Sequence, residues 1–137
     1  MTDDPARSAW QAMRTLVLDR NDRRAEVSAR LGMSFIRIKA LRHLAQNPMT
    51  MRELAESLAV DAPYTTVVVD DLEERGLAER RSDPADRRRK IVAVTTEGRR
   101  LARKAWRILD EPPPALTALP AEDLAHLDRI MRALLDA

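Results

Sequence analysis

The run Arg87-Arg88-Arg89-Lys90 is the densest concentration of one charge in this chain of 137 residues. Its chemistry would be recognition of an anion, because guanidinium groups present planar, forked donors that match phosphate oxygens. A lone basic cluster is also what an ordinary solvated surface looks like, so its place in the fold decides between the two. A second group of residues bears on that choice. Tyr64 and Thr66 can hydrogen-bond to bases or phosphates, and Val67 offers methyl groups that suit a thymine methyl.

Catalysis finds little support. The two histidines, His43 and His126, fall on separate helical segments with no recurring acidic spacing around them, which suits surface or boundary positions. There is no glycine-rich phosphate loop among the 3 glycines, and the absence of cysteine removes thiol nucleophiles, thiolate metal ligands, disulfides and thiol redox sensing. The carboxylate pairs Asp70-Asp71 and Glu73-Glu74 lie on a helical segment, where a solvated face with ion pairs to the neighbouring hairpin is expected. No metal site and no cofactor is expected, and the chain reads as no enzyme.

Composition sets the frame for those residues. Hydrophobic side chains make up 45% of the chain, enough for a globular core, and with aromatics at 3% that core must be aliphatic. No apolar run reaches the length of a membrane span. The start, Met1 to Trp10, lacks a basic segment followed by an apolar one, so a cytoplasmic protein is the expectation. The net charge of +2 conceals segregation. Residues 1–49 carry 9 basic and 5 acidic side chains, residues 50–74 carry 1 and 7, residues 75–107 carry 12 and 4, and residues 108–137 carry 2 and 6. The basic cluster therefore sits inside a basic block that follows directly on an acidic one.

Periodicity supplies the elements. One long helix is expected from Pro5 to Leu31, with Trp10, Met13, Leu16 and Val17 on its apolar stripe and Gly32 past its end. Ser34 would cap a second helix that stops before Asn47-Pro48. Thr50 and Glu53 form a capping box on a short third helix, Met51 to Leu58. The run Thr65-Thr66-Val67-Val68-Val69 is β-branched throughout and by propensity a strand. Asp61 as N-cap, Pro63 in the first turn, and the spacing of Thr65, Val68, Val69 and Leu72 overrule that in favour of a helix ending at Gly76. Two helices joined by so short a link make a helix-turn-helix.

Leu77–Ser82 and Ile91–Thr95 then read as strands joined by a polar link, so the arginine cluster becomes the tip of a hairpin. Thr95 or Thr96 caps a helix from Glu97 to Asp110. Pro112-Pro113-Pro114 imposes an extended break, and a last helix covers Pro120 to Asp136. A helix of this kind fits the major groove of B-DNA by its N-terminal residues, and an arginine at the hairpin tip can reach the adjacent minor groove. The acidic second half of the helix would be repelled by phosphate, which restricts entry to the first half.

From Thr50 to Gly98 the sequence resembles the winged helix-turn-helix core of the MarR (multiple antibiotic resistance regulator) family. The stretches that carry the resemblance are Leu72-Glu73-Glu74-Arg75-Gly76-Leu77 and, more specifically, the wing from Asp83-Pro84-Ala85-Asp86-Arg87-Arg88 to Val94-Thr95-Thr96-Glu97-Gly98. The resemblance implies a mainly α fold with a small β-hairpin, in which residues 34–96 form the DNA-binding lobe. Residues 1–32 and 97–137 would supply the helices of a dimerisation region, the whole chain being one MarR-like domain. It further implies a homodimer that binds a pseudo-palindromic double-stranded operator, most often as a repressor released by a small amphipathic or phenolic effector. A ligand-independent activator or architectural DNA binder is the alternative. Terminal helices with wide apolar faces and few elements to cover them point to the same intertwined dimer.

Carried onto this chain, the resemblance makes Asp61–Arg75 the recognition helix, Arg88 the wing arginine of the minor groove and Asp86 the brace of the tip. Thr50 and Arg52 would meet phosphates. The expected DNA-facing set is Thr50, Arg52, Ala62, Pro63, Tyr64, Thr66, Val67, Asp86, Arg87, Arg88 and Arg89. Many relatives carry an arginine where this chain has Val67, and a serine is frequent where it has Pro63, so base readout should lean on apolar and hydroxyl contacts. No effector-binding residue is assigned; Trp10, Met13, Phe35 and Trp106 could line a pocket between the lobes and the dimer region, but core packing is the role expected of each.

Overall fold

The structure is a computed structural model that describes residues 4–137. Met1 to Asp3, the beginning of the terminal segment read above for a leader, lie outside the described residues. The described residues form α-helices and one hairpin in the order α1 (Pro5–Arg14), α2 (Arg23–Leu31), α3 (Phe35–Gln46), α4 (Met51–Leu58), α5 (Ala62–Glu74), β1 (Ala78–Ser82), β2 (Lys90–Val94), α6 (Thr96–Leu109), α7 (Pro114–Thr117) and α8 (Ala121–Leu135).

The single long helix expected from Pro5 to Leu31 is divided. α1 runs on into a π-helical stretch, Thr15–Arg20, and the backbone leaves helical geometry at Asn21. The Asn21 side-chain amide donates to the Leu16 carbonyl, and the Asp22 carboxylate accepts from the Ala25 N–H to start α2 afresh. Short polar side chains that bond to nearby backbone offer the chain an alternative to continued helix. The polar stretch Asp19–Arg24 has no apolar face to resist it. The triple proline is likewise only half extended: Pro113 is extended, whereas Pro114 opens the single-turn helix α7, since a proline costs nothing at the first helical position.

The core is aliphatic. Val27, Ile38, Leu41, Leu44, Leu54, Val68, Val69, Leu72 and Val92 are wholly buried, and each such side chain contributes roughly 1.5–3 kcal/mol relative to exposure. α3 runs through the middle of this core, supplying Ile38, Ala40, Leu41 and Leu44. The hairpin is antiparallel with Ala78 opposite Val94 and Ser82 opposite Lys90. Met49, just before α4, bridges to Val92 by two backbone hydrogen bonds of 3.1 and 2.7 Å, so the wing is fastened to the helix-turn-helix at the middle of β2.

Three boundaries shift by a residue for visible reasons. β1 begins at Ala78 because the Leu77 N–H is used on the Leu72 carbonyl to close the end of α5, with Gly76 at φ +73°. β2 ends at Val94 because Thr95 turns away to cap α6, its hydroxyl oxygen accepting from the Gly98 N–H at 3.1 Å. α8 starts after Pro120, which occupies the cap.

The terminal helices have a different character. None of the described residues of α1, α7 or α8 is buried. Trp10, expected in the core, is 61% exposed, and Leu16, Val17, Leu18, Ile130, Leu134 and Leu135 are exposed with it. Phe35 and Trp106 do pack against the core, each beneath a guanidinium: Arg24 over Phe35 at 5.0 Å and Arg42 over Trp106 at 3.8 Å from the ring centre. Met13 is half-buried.

Candidate nucleic-acid interface

α5 presents two faces that match its sequence pattern. Thr65, Val68, Val69 and Leu72 are buried. Ala62, Pro63, Tyr64, Thr66 and Val67 are exposed, with Val67 at 53%. The helix starts because Asp61 accepts the Tyr64 N–H at 2.7 Å. Burial of Thr65 is made tolerable by its hydroxyl, which donates to the Asp61 carbonyl at 2.8 Å. The β-branched run is thus held helical by its cap and by the packing of one face.

α4 precedes it through Ala59 and Val60. The capping box is formed in both directions, the Thr50 hydroxyl oxygen accepting from the Glu53 N–H and the Glu53 carboxylate accepting from the Thr50 N–H. The Thr50 N–H first, then the Thr50 side chain and then Arg89 hold the Glu53 carboxyl below the usual glutamate range. Arg52 projects beside the cap and pairs only with Glu56 among the described residues, at 3.4 Å. Arg52, Ala62 and Thr66 line one open groove between α4 and α5, so the opening turns of both helices face the same side.

The wing tip is ordered by its aspartates. The chain turns at 83–86 and again at 86–89, closed by Asp86 N–H to Asp83 carbonyl and Arg89 N–H to Asp86 carbonyl. Asp83 also accepts the Ala85 N–H and Asp86 the Arg88 N–H, the Asx arrangement that favours aspartate at the first position of a turn. Asp86 therefore fixes the backbone from which Arg88 projects. Arg87 and Arg88 are exposed and have no ion-pair partner among the described residues. Arg89 differs: it reaches back to Glu53 at 2.6 Å and lies 3.9 Å from Asp83.

The acidic second half of α5 also has a structural account. Arg80 on β1 pairs with Asp70 at 2.8 Å and with Glu73, whose carboxylate accepts the Arg80 N–H as well. Asp71 pairs with Arg37 at 2.7 Å and Arg75 at 2.9 Å. These carboxylates fix α5 to the wing and to α3, which sequence reasoning expected for the hairpin side and missed for Arg37. No spacing rule could have supplied that partner, because it comes from another helix. His43 is a boundary residue, its Nδ1 2.9 Å from the Ser57 hydroxyl oxygen, and His126 is exposed. Among the described residues no three histidine or acidic side chains gather as they would around a metal ion, and no helix is long and apolar enough to cross a membrane.

A helix-turn-helix followed by an arginine-tipped hairpin that is paired to α5 and to α4 defines a winged helix-turn-helix fold. The sequence model of the MarR family matches residues 31–89, from the end of α2 through the wing tip. That match covers less than half of the chain and makes the helix-turn-helix and the wing tip similar to those of MarR-family proteins. The chain is 34% identical over 64 residues to the uncharacterized HTH-type transcriptional regulator YcgE of Bacillus subtilis, a match covering 47% of this chain and 42% of that protein's length. Among solved structures, CouR from Rhodococcus jostii bound to p-coumaroyl-CoA is 27% identical with a TM-score of 0.59, covering 80% of this chain and 78% of CouR. A mutant of MepR from S. aureus, bound to an oligodeoxyribonucleotide, shares the fold at 22% identity and TM-score 0.72, covering 93% of this chain and 96% of MepR.

Proposed function

We propose that this chain is a sequence-specific double-stranded DNA-binding repressor that acts as a homodimer in the cytoplasm and is released by a small amphipathic or phenolic ligand. One observation carries the DNA-binding part: Arg87 and Arg88, without ion-pair partners among the described residues, stand on a turn rigidified by Asp83 and Asp86, next to Arg89, which reaches the first turn of α4. Pro63, Tyr64, Thr66 and Val67 would read base edges in the major groove by apolar and hydroxyl contact. Arg88 would enter the minor groove, and Thr50 and Arg52 would hold phosphates at the start of α4.

The exposed apolar side chains of α1 and α8 support the dimer, since a second copy would cover them, and a two-fold dimer would read half-sites about 34 Å apart. The ligand part is supported by likeness to CouR, whose structure holds p-coumaroyl-CoA. The test begins with selection of bound sequences from random duplexes. On the selected duplex Arg88→Ala should bind at least roughly fivefold more weakly while remaining dimeric, since each lost groove arginine is worth about 1–3 kcal/mol. Unchanged affinity would refute the wing assignment. Failure of every aromatic acid tested to both raise Tm and release the duplex would remove the ligand part alone.

A further inference from the structure

Of the three wing arginines one is already neutralised, and by a residue outside the wing. Arg89 Nη2 lies 2.6 Å from Glu53 Oε1, across 36 residues of sequence, and the same oxygen accepts the Thr50 N–H at 2.9 Å. Glu53 therefore has two tasks on the first turn of α4: it closes the capping box, and it engages a cation of the wing. Both partners are about half exposed, so the pair is accessible to solvent and to anything that docks there.

The carboxylate lies on the turn that also carries Thr50 and Arg52, where a nucleic-acid backbone would pass. A free carboxylate there would repel phosphate, and Arg89 cancels it. Exposed ion pairs add little net stability, because hydration and side-chain entropy offset the attraction. Exchange of the carboxylate for a phosphate as the partner of Arg89 is therefore inexpensive.

We infer that Glu53 is an intramolecular competitor of DNA phosphate for Arg89, and so sets the strength and the salt dependence of binding without touching DNA. In the free protein Arg89 is held back against α4, and the wing presents only Arg87 and Arg88. On a duplex Arg89 must leave Glu53 to reach a phosphate, and the uncovered carboxylate opposes that step. The inference rests on the DNA-binding reading above, but concerns a residue outside the expected DNA-facing set.

Glu53→Gln isolates the charge. A glutamine oxygen can still accept the Thr50 N–H, so the capping box survives. The experiment measures binding of a random-sequence duplex of about 30 base pairs, and of the selected operator, across a salt series. To the extent that Glu53 retains Arg89 in the complex, replacing the carboxylate adds a phosphate contact, so the slope of log K against log salt should steepen, by at most about 0.9 for each lobe engaged. Affinity at low salt should rise by roughly threefold or more, the scale of one surface charge contact. In the Arg89→Ala background Glu53→Gln should give a clearly smaller change, because it removes a bare carboxylate but frees no cation. An unchanged slope in Glu53→Gln overturns the inference, as does an equal change in the Arg89→Ala background. Weaker binding by Glu53→Gln overturns it too, making the pair a support for the wing instead. If the unaltered protein binds no duplex, the functional reading falls and this inference with it; binding with an unmoved slope sinks only the inference.

Discussion

The Nε atom of Arg37 lies 2.7 Å from Oδ2 of Asp71, joining α3 to the last turn of α5 across 34 residues of sequence. Arg75 shares the same oxygen at 2.9 Å and donates onward to the Gly32 carbonyl at 3.2 Å. α5 is thereby tied to the corner between α2 and α3. Burial alone would raise the Asp71 carboxyl, but Arg37 and Arg75 together hold it below the usual aspartate range.

Asp71→Ala should lower the unfolding free energy by about 1 kcal/mol, kept small because both partners are partly solvated. The sign with pH follows from the depressed folded value. The contribution is present above the ordinary aspartate pKa, about 3.9, and is lost as pH falls below it through the folded pKa. Urea denaturation at pH 7 and at pH 3 should therefore show a smaller difference between wild type and variant at the lower pH. A constant difference would mean that the pair contributes nothing through its charge.

Ala59 ends α4 at φ +56°, the left-handed region that glycine occupies at Gly32 and Gly76. A side chain there costs roughly 1–2 kcal/mol. Ala59→Gly should recover about 1 kcal/mol and raise Tm, and a fall in Tm would show that the methyl group makes contacts that outweigh the backbone strain.

Gly98 is constrained for the opposite reason, by closeness and not by backbone angle. A Cβ there would sit inside the Leu77 carbonyl and 2.7 Å from the Val94 side chain, where the Thr95 N–H also reaches the Leu77 carbonyl at 3.0 Å. Gly98→Ala should cost about 1–3 kcal/mol and shift the hairpin relative to α6. Calorimetry would measure the loss; a variant as stable as wild type would show that the junction yields freely.

His43 gives a pH dependence in a separate window. Burial, then the charges of Lys39 and Arg42, hold its imidazole below the ordinary histidine range. The unfolded chain takes up its proton near pH 6.5, before the folded one does, so stability should decline as pH falls from about 7.5 through that value. His43→Gln should flatten this decline in urea midpoints between pH 7.5 and pH 5, and an equal decline in the variant would place the proton elsewhere.

Much of the fold was legible because the signals were local. The capping box of Thr50 and Glu53, the Asp61 cap with Pro63 behind it, the glycines after α2 and α5, and the alternation of Asp, Pro and Arg in the wing each act over a few residues. The same locality misled where the sequence is weakly patterned. The break at Asn21-Asp22 depends on side-chain bonds competing with a helix that lacks a buried face, and α7 depends on a proline tolerated at its start.

The sequence by itself determined which helix could read a groove and where the basic tip would fall, because periodicity, caps and turn chemistry are written within a turn or two of backbone. Only the tertiary structure decided how charge is distributed on that surface. Asp70, Asp71 and Glu73 are taken up by Arg37, Arg75 and Arg80, and Arg89 by Glu53, leaving Arg87 and Arg88 without a partner among the described residues. The physical reason is range: several of those partners come from other elements or lie many residues away. A charge count along the chain cannot distinguish a cation held within the protein from one free to meet DNA.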